Sequence, residues 1–284
     1  MEEKNIRSFD WTKIHYFYHQ GSNDHTLVFL HGVGGNWTVW KKEIAYFQKK
    51  GYSTLALDLR GHGISGAPKT FKKYQLFRFT MDVSRILKKE KIKNFSLVGH
   101  SLGGAIIINY CMRYKNKQPH SLVLIETAST YPFKHDHLLN HNHYLTHFLR
   151  FISEHKLTKK EHFFHLKDID LSYTGIKENL HLISHLLHLT PLRSVVRSLD
   201  NLEKYIFKNQ KRIDYTLKHF NGPMLVIGGE KDQVVPVKYS RIIKNLNKKA
   251  HLKILKGAHH LAIVNNAEKV NHVMANFFSN NIKK

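Results

Sequence analysis

A serine flanked by glycines is the feature of this sequence that most clearly suggests covalent chemistry. Residues 99–103 read Gly-His-Ser-Leu-Gly, which fits the pattern G-x-S-x-G of a nucleophilic serine on a sharp strand-to-helix turn. The backbone of such a turn is strained and bulky neighbours would clash there, so the flanking glycines suit it. We predict that Ser101 is a nucleophile whose hydroxyl is lifted clear of a sheet.

The residues on either side of this serine favour that interpretation. The pattern also recurs by chance, and a glycine-rich turn with an incidental serine is the alternative. Residues 95–99 predict a strand and residues 102–114 a largely buried helix, as the turn requires. At the N-terminus of that helix the backbone amide of Leu102 would point at a developing oxyanion, where negative charge is favoured.

Four further segments carry glycines, histidines or carboxylates that suit the same chemistry. They are His-Gly-Val-Gly-Gly at 31–35, Asp-Leu-Arg-Gly-His-Gly-Ile-Ser at 58–65, Gly-Gly-Glu-Lys-Asp-Gln-Val-Val-Pro at 228–236 and Gly-Ala-His-His-Leu at 257–261. In this order and at these distances they resemble the motifs of α/β-hydrolase superfamily serine hydrolases of the esterase and lipase type. The resemblance covers nearly the whole chain. It implies an α/β fold, a mostly parallel sheet flanked by helices, with an inserted helical cap.

The resemblance implies a role for residues in each segment. Residues 31–35 resemble an oxyanion loop whose second amide would come from Val33, although a tight turn that only needs glycines would also explain them. Residues 58–65 resemble a loop that braces the site. Asp232 matches the acid that hydrogen-bonds the base, with Glu230 as a competing carboxylate.

The base is implied to be His260, counted from the start of the segment at 257. His259 stands where the family usually has glycine, so His259 remains an alternative. Ser101, Asp232 and His260 follow the chain order described for this fold. His260 would take the Ser101 proton during attack on an acyl carbonyl, and Asp232 would fix its tautomer and stabilise its cation. A serine rather than an aspartate at the nucleophile position argues against haloalkane and epoxide chemistry.

Two other patterns could indicate a cofactor or a metal ion. Residues 61–66 fit G-x-G-x-x-G, but Pro68 and polar residues follow where a dinucleotide would need a helix N-terminus. Histidines four apart at 137/141, 143/147 and 181/185 could chelate a metal from one helix face, yet carboxylates are sparse nearby and H-E-x-x-H is absent. We therefore expect no cofactor and no specific metal site.

The elements that position these residues follow from hydrophobic patterning. Apolar runs alternate with amphipathic stretches over residues 14–127 and 223–278, as in a parallel sheet covered by helices. Helical patterns dominate between them, the last at 192–207. We predict a core at 1–130 and 213–284 and a cap at 131–212, whose Leu and Phe side chains form its own core and line an acyl pocket above Ser101.

Composition indicates which cellular compartment and which classes of partner to expect. The chain has one cysteine, no run near the roughly 18 apolar residues of a membrane span, and no basic-then-apolar start, so we expect a cytoplasmic protein. The formal net charge is +24, with lysines scattered along the chain and no signature of nucleic-acid binding. We expect a small-molecule acyl ester as substrate, weak attraction to anionic membrane surfaces, and no specific nucleic acid.

The predicted function is hydrolysis of carboxylic esters through an acyl-enzyme. Thioesterase or lactonase activity with the same triad stays open, as do haloperoxidase-like chemistry and carbon–carbon bond hydrolysis. The alternative from a different class is a non-catalytic receptor or scaffold that keeps the fold.

Overall fold

The computed structural model describes residues 1–130 and 190–282. The strands are β1 (Glu2–Arg7), β2 (Lys13–His19), β3 (Asn23–Leu30), β4 (Tyr52–Leu57), β5 (Phe95–His100), β6 (Leu122–Ile125), β7 (Met224–Gly229) and β8 (His251–Leu255). The helices are α1 (Lys41–Lys49), α2 (Leu76–Lys89), α3 (Leu102–Arg113), α4 (Leu192–Lys218), α5 (Val237–Leu246), α6 (Ala262–Asn265) and α7 (Ala267–Asn281), with 3-10 turns at Trp37–Trp40 and Phe71–Tyr74.

The strands form one eight-stranded sheet in the order β1-β2-β4-β3-β5-β6-β7-β8. β2 pairs antiparallel with both β1 and β4, and the pairings among β3 to β8 are all parallel. This confirms the predicted α/β fold with a mostly parallel sheet. Among the described residues no helix is both long and apolar enough to cross a membrane.

Two apolar layers cover the sheet, one on each face. Side chains alternate along a strand, so Leu97 of β5 joins the layer built with α2, α3 and α4, while its neighbour Val98 joins the layer built with α1, α6 and α7. The central strands β5, β6 and β7 are buried along their whole length. Parallel strands covered on both faces need such continuous apolar sequences.

The observed elements differ from the predicted ones in three places. β1 was not predicted; it lies at the sheet edge and pairs with β2 over its full length, from Glu2 opposite Tyr18 to Arg7 opposite Lys13. Apolar residues recur at helical spacing from Trp37 to Phe47 and predict one helix, but the segment begins as a 3-10 turn, whose N-cap Asn36 accepts a hydrogen bond from the Thr38 amide at 2.9 Å.

The third difference is the helix predicted at 192–207, which continues to Lys218 and so runs through the predicted boundary at residue 212. It continues because Ile213 and Leu217 extend its buried face beyond Ile206. The other predicted cap helices, the histidine pairs and the acyl pocket of residues 138–189 lie outside the described residues. The cap therefore stays a prediction.

Candidate active site

A polar side chain follows each of the strands β3 to β8 at the carboxyl end. Because these six strands run parallel, their carboxyl ends meet at one edge of the sheet, where ligands bind in open α/β folds. The sheet thereby collects residues that are far apart in the sequence. In chain order they are His31, Asp58, Ser101, Glu126, Asp232 and His260.

Ser101 is the single residue between β5 and α3. Its φ of 50° and ψ of −113° place it in a sparsely populated backbone region that costs about 1–3 kcal/mol. Close glycine contacts allow the turn: a Cβ on Gly103 would lie 2.1 Å from the carbonyl oxygen of Leu30, and one on Gly99 would lie 2.6 Å from the carbonyl carbon of Gly103. The start of α3 therefore packs directly on β3 and β5, and the serine stands on a sharp turn as the pattern predicts.

The loop at residues 31–35 lies beside this serine. A Cβ on Gly32 would be 2.8 Å from His100 Nδ1 and 3.2 Å from the Ser101 Cβ, so glycine lets the loop approach the turn at Ser101 closely. Among the backbone hydrogen bonds of residues 1–130 and 190–282, none is donated by the amides of Val33 or Leu102. Within the described residues, the two amides predicted to hold an oxyanion thus have no backbone acceptor.

His31 joins the 31–35 loop to the 58–65 loop. Its Nε2 accepts a hydrogen bond from the Leu59 amide at 3.0 Å, so the proton of the neutral ring is on Nδ1, which donates to the Gly32 carbonyl at 2.7 Å. Complete burial, helped by the nearby His62, holds the pKa of His31 well below its ordinary value. His31 is therefore a neutral brace between two loops.

The 58–65 loop is held by its own polar residues. Asp58 accepts from the Trp37 amide at 2.8 Å and the Ile64 amide at 2.9 Å, and burial raises the pKa of Asp58 to about 6. Arg60 is buried and makes two hydrogen bonds to Asp82, at 2.8 and 2.7 Å. These contacts give the loop a bracing role.

Asp232 and His260 form a hydrogen-bonded carboxylate–histidine pair. His260 Nδ1 donates to Asp232 Oδ2 at 2.9 Å, and Asp232 Oδ1 accepts from the amides of Val234 and Val235 at 2.9 and 2.8 Å. Burial opposes a charge on His260, but the charge and hydrogen bond of Asp232, together with the charge of Glu126, outweigh it and raise the pKa of His260. With Nδ1 occupied, Nε2 is the nitrogen left to take a proton.

The structure also places Glu230, the alternative to Asp232, and it gives the relation between Ser101 and His260. Glu230 is exposed and accepts from the Gly257 amide at 2.8 Å, while the carboxylate bonded to His260 belongs to Asp232. In the described part of the chain, no hydrogen bond joins Ser101 Oγ to His260. Such bonds are often long before substrate binds and tighten in the substrate complex.

Glu126 and His100 are site residues that the sequence reasoning missed. The neutral ring of His100 donates from Nε2 to the His260 carbonyl at 2.7 Å, and Glu126 Oε2 lies 3.1 Å from the same nitrogen. Glu126 Oε2 also accepts from the Ala262 amide at 3.3 Å. The two side chains thus hold the backbone at His260 and two residues after it. The one available signal was an acidic residue directly after a buried parallel strand.

Burial disfavours the charged form of both of these residues. It lowers the pKa of His100 to about 3, with the charge of His260 acting in the same direction. It raises the pKa of Glu126 well above its ordinary value, although the charge of His260 opposes this. Glu126 Oε1 is buried without a hydrogen-bond partner, so the carboxyl group is anchored through one oxygen only.

His100, Glu126 and His260 also have the residue types of a metal site. One potential ligand atom from each lies within 4.8 Å of the others. However, His260 Nδ1 is bonded to Asp232 and His100 Nε2 to the His260 carbonyl. Hydrogen bonding explains this arrangement, and we propose no metal there.

The described part of the predicted cap, residues 190–212, attaches to the same loops. Thr190 Oγ1 donates to the Gly34 carbonyl at 2.9 Å, and Ser194 Oγ lies 2.9 Å from the hydroxyl of Tyr74. Arg197, on the same helix, donates to the Lys69 carbonyl at 2.7 Å. Thr190 and the start of α4 are therefore fixed to the 31–35 loop and to the segment that follows the 58–65 loop.

Similarity to solved structures supports the shared fold. An esterase from Exiguobacterium antarcticum superposes with a TM-score of 0.73 at 20% identity, covering 98% of this chain and 100% of the other. A bromoperoxidase from Bacillus anthracis superposes with a TM-score of 0.74 at 19% identity, with the same coverage. At such identities the likeness concerns the fold alone.

Sequence comparison supplies the family. Human protein ABHD8 is 34% identical over 105 residues, which is 36% of this chain but only 23% of that protein, so the match spans under a quarter of that curated relative. A family model described as alpha/beta hydrolase fold matches residues 25–267. The chain therefore belongs to the alpha/beta hydrolase fold family.

Proposed function

We propose that this hydrolase-family protein cleaves carboxylic esters through an acyl-enzyme on Ser101. The observation that carries the proposal is the 2.9 Å bond from His260 Nδ1 to Asp232, on the same sheet edge as a serine held at φ 50°. A strained backbone at a serine is typical of a functional site. A histidine with Nδ1 bonded to a buried carboxylate has the tautomer that a general base needs.

The mechanism follows from these groups. His260 Nε2 takes the proton of Ser101 Oγ as the oxygen attacks the acyl carbonyl, and Asp232 stabilises the imidazolium that forms. The oxyanion accepts from the amides of Val33 and Leu102, each of which lowers the barrier by about 2.7–4 kcal/mol. The imidazolium then protonates the leaving alcohol. Water attacks the acyl-enzyme as His260 takes one of its protons, and His260 then passes that proton to Ser101 Oγ as the acid leaves.

Labelling with a fluorophosphonate probe separates an enzyme from a non-catalytic scaffold. The probe phosphonylates only an activated serine, so we expect one adduct on the intact protein, mapped to Ser101, and none on Ser101→Ala. Absence of an adduct on the folded wild-type protein would favour the scaffold.

A second experiment distinguishes oxygen esters, thioesters and lactones as substrates. Rates on p-nitrophenyl esters of increasing acyl length are measured beside acyl-CoA thioesters and lactones, since the same triad serves all three. We expect faster turnover of the oxygen esters. A higher kcat/KM on thioesters or lactones would move the proposal to that class.

We also propose a cytoplasmic location. The single cysteine, Cys111, is buried in α3, and a chain without a disulfide suits a reducing compartment. Fractionation of the source cells tests this, and recovery of the protein from an extracytoplasmic fraction would contradict it.

A further inference from the structure

Helix α4 exposes two large aromatic side chains. Phe207 is 76% exposed and Tyr215 is 62% exposed, and in the described part of the chain the other large hydrophobic side chains with comparable exposure are Met1 and Trp11. The two aromatic residues are eight positions apart on one helix. Because an α-helix has 3.6 residues per turn, they lie on the same face about two turns apart.

The same face carries a dense set of positive charges. At 100° per residue the exposed side chains of this face fall within an arc of about 140°. Glu203 and Asp214 are half-buried and lie outside that arc, while the half-buried Asp200 lies inside it, four residues before Lys204. The set, which we name the α4 basic face, comprises Lys204, Phe207, Lys208, Lys211, Arg212, Tyr215 and Lys218.

The opposite side of α4 holds the helix firmly against the core. Ile206, Ile213 and Leu217 are buried there, and the Asn247 side chain donates to the Leu217 carbonyl at 2.9 Å. The Tyr215 ring stacks on His219 with centroids 4.0 Å apart. The basic face is therefore presented by a preformed helix, and no folding has to accompany binding.

Exposed aromatics among lysines point to one kind of partner. Amphipathic surfaces that bind at a bilayer interface place aromatic and other apolar side chains at the boundary between headgroups and acyl chains, with lysines among anionic headgroups. We propose that the α4 basic face docks the protein on anionic phospholipid bilayers, with Phe207 and Tyr215 inserted at that boundary. The docking does not depend on the proposed ester hydrolysis.

Vesicle binding tests the contribution of the charges. Co-sedimentation is measured with phosphatidylcholine vesicles and with vesicles that contain 30% phosphatidylserine. Each lysine near an anionic surface contributes about fivefold in affinity, so K208Q/K211Q should weaken binding to the anionic vesicles by about 30-fold. The matched control, K248Q/K249Q, removes the same charge from the exposed turn before β8 and should leave binding within about threefold of wild type.

The aromatic contribution is tested without changing the charge. F207S/Y215S should also weaken binding strongly, while Trp11→Ser, which removes an exposed aromatic residue elsewhere, should not. All four variants alter exposed side chains, and their thermal unfolding checks that they stay folded. Equal weakening by the face and control variants would overturn the proposal, because net charge alone would then drive binding.

Insertion is measured directly with a fluorescent reporter. In Phe207→Trp, the added emission should shift to shorter wavelength on anionic vesicles and be quenched by lipids brominated on their acyl chains. Unquenched emission on bound vesicles would overturn the insertion. Binding of single-stranded RNA that depends on this face, without binding to vesicles, would overturn the choice of partner.

Discussion

Replacement of Gly103 by alanine tests how the strand-to-helix turn at Ser101 positions the Leu102 amide. A Cβ there would lie 2.1 Å from the carbonyl oxygen and 2.7 Å from the carbonyl carbon of Leu30, whereas real Cβ contacts stay beyond 3.0 Å. Both neighbours are backbone atoms of a central strand and cannot rotate away. The first turn of α3 must therefore move by about 1 Å, and it carries the Leu102 amide with it.

The expected loss of activity follows from that shift. A displacement of about 1 Å at a reacting centre costs roughly 100-fold in rate, while overpacking costs about 1–3 kcal/mol of stability. We therefore expect Gly103→Ala to fold, with a lowered Tm, and to lose about two orders of magnitude in kcat on p-nitrophenyl butyrate. Activity is measured at a temperature where unfolding curves show the variant fully folded.

The matched control is Ala105→Gly in the same helix. It lowers stability by about 1 kcal/mol through helix propensity but adds no atom against β3, so kcat should stay near wild type. A folded Gly103→Ala protein with wild-type kcat would refute the reasoning. An equal loss in Ala105→Gly would show that stability, and not amide placement, controls the rate.

Three further predictions concern the base and its surroundings. His260→Ala should abolish ester hydrolysis while His259→Ala is milder, and the reverse order in kcat would make His259 the base. Because Asp232 raises the pKa of His260 and the base must be neutral, activity should fall as pH drops through that raised pKa, and the residual activity of Asp232→Asn should fall only at lower pH. An unshifted pH–rate profile would contradict this. Glu126→Gln keeps an oxygen that can accept from the Ala262 amide and should retain most of kcat, whereas Glu126→Leu should lose about 10- to 100-fold; equal activity would remove the positioning role.

The alternation of strands and helices was predictable because it depends on the local pattern of apolar residues in the sequence. β6 and β7 are continuous apolar runs, β5 is mostly apolar, and the apolar residues of α2 and α5 recur at helical spacing. β1 carries charges at Glu2, Glu3 and Lys4 and has no buried side chain. Only its pairing with β2 makes it a strand, and pairing leaves no local signal.

Long-range contacts also limit how much of the site can be predicted from the sequence. The spacing of residues 257–261 left His259 and His260 both open, and a bond across 28 positions joins Asp232 to His260 in the structure. Glu126 reaches Ala262 across 136 positions, which no local pattern can indicate. Motifs therefore predicted which residues meet at the sheet edge, but not the side chains that hold the base in place.

Detection of the acyl-enzyme tests the central claim most directly. The protein is mixed with p-nitrophenyl butyrate, quenched with acid within the first turnover, and analysed by intact mass and peptide mapping. We predict one butyryl group, located on Ser101 and absent from Ser101→Ala, whose kcat falls to below about a hundredth of wild type. Turnover by Ser101→Ala above that level, or a butyryl group on another residue, would contradict the account.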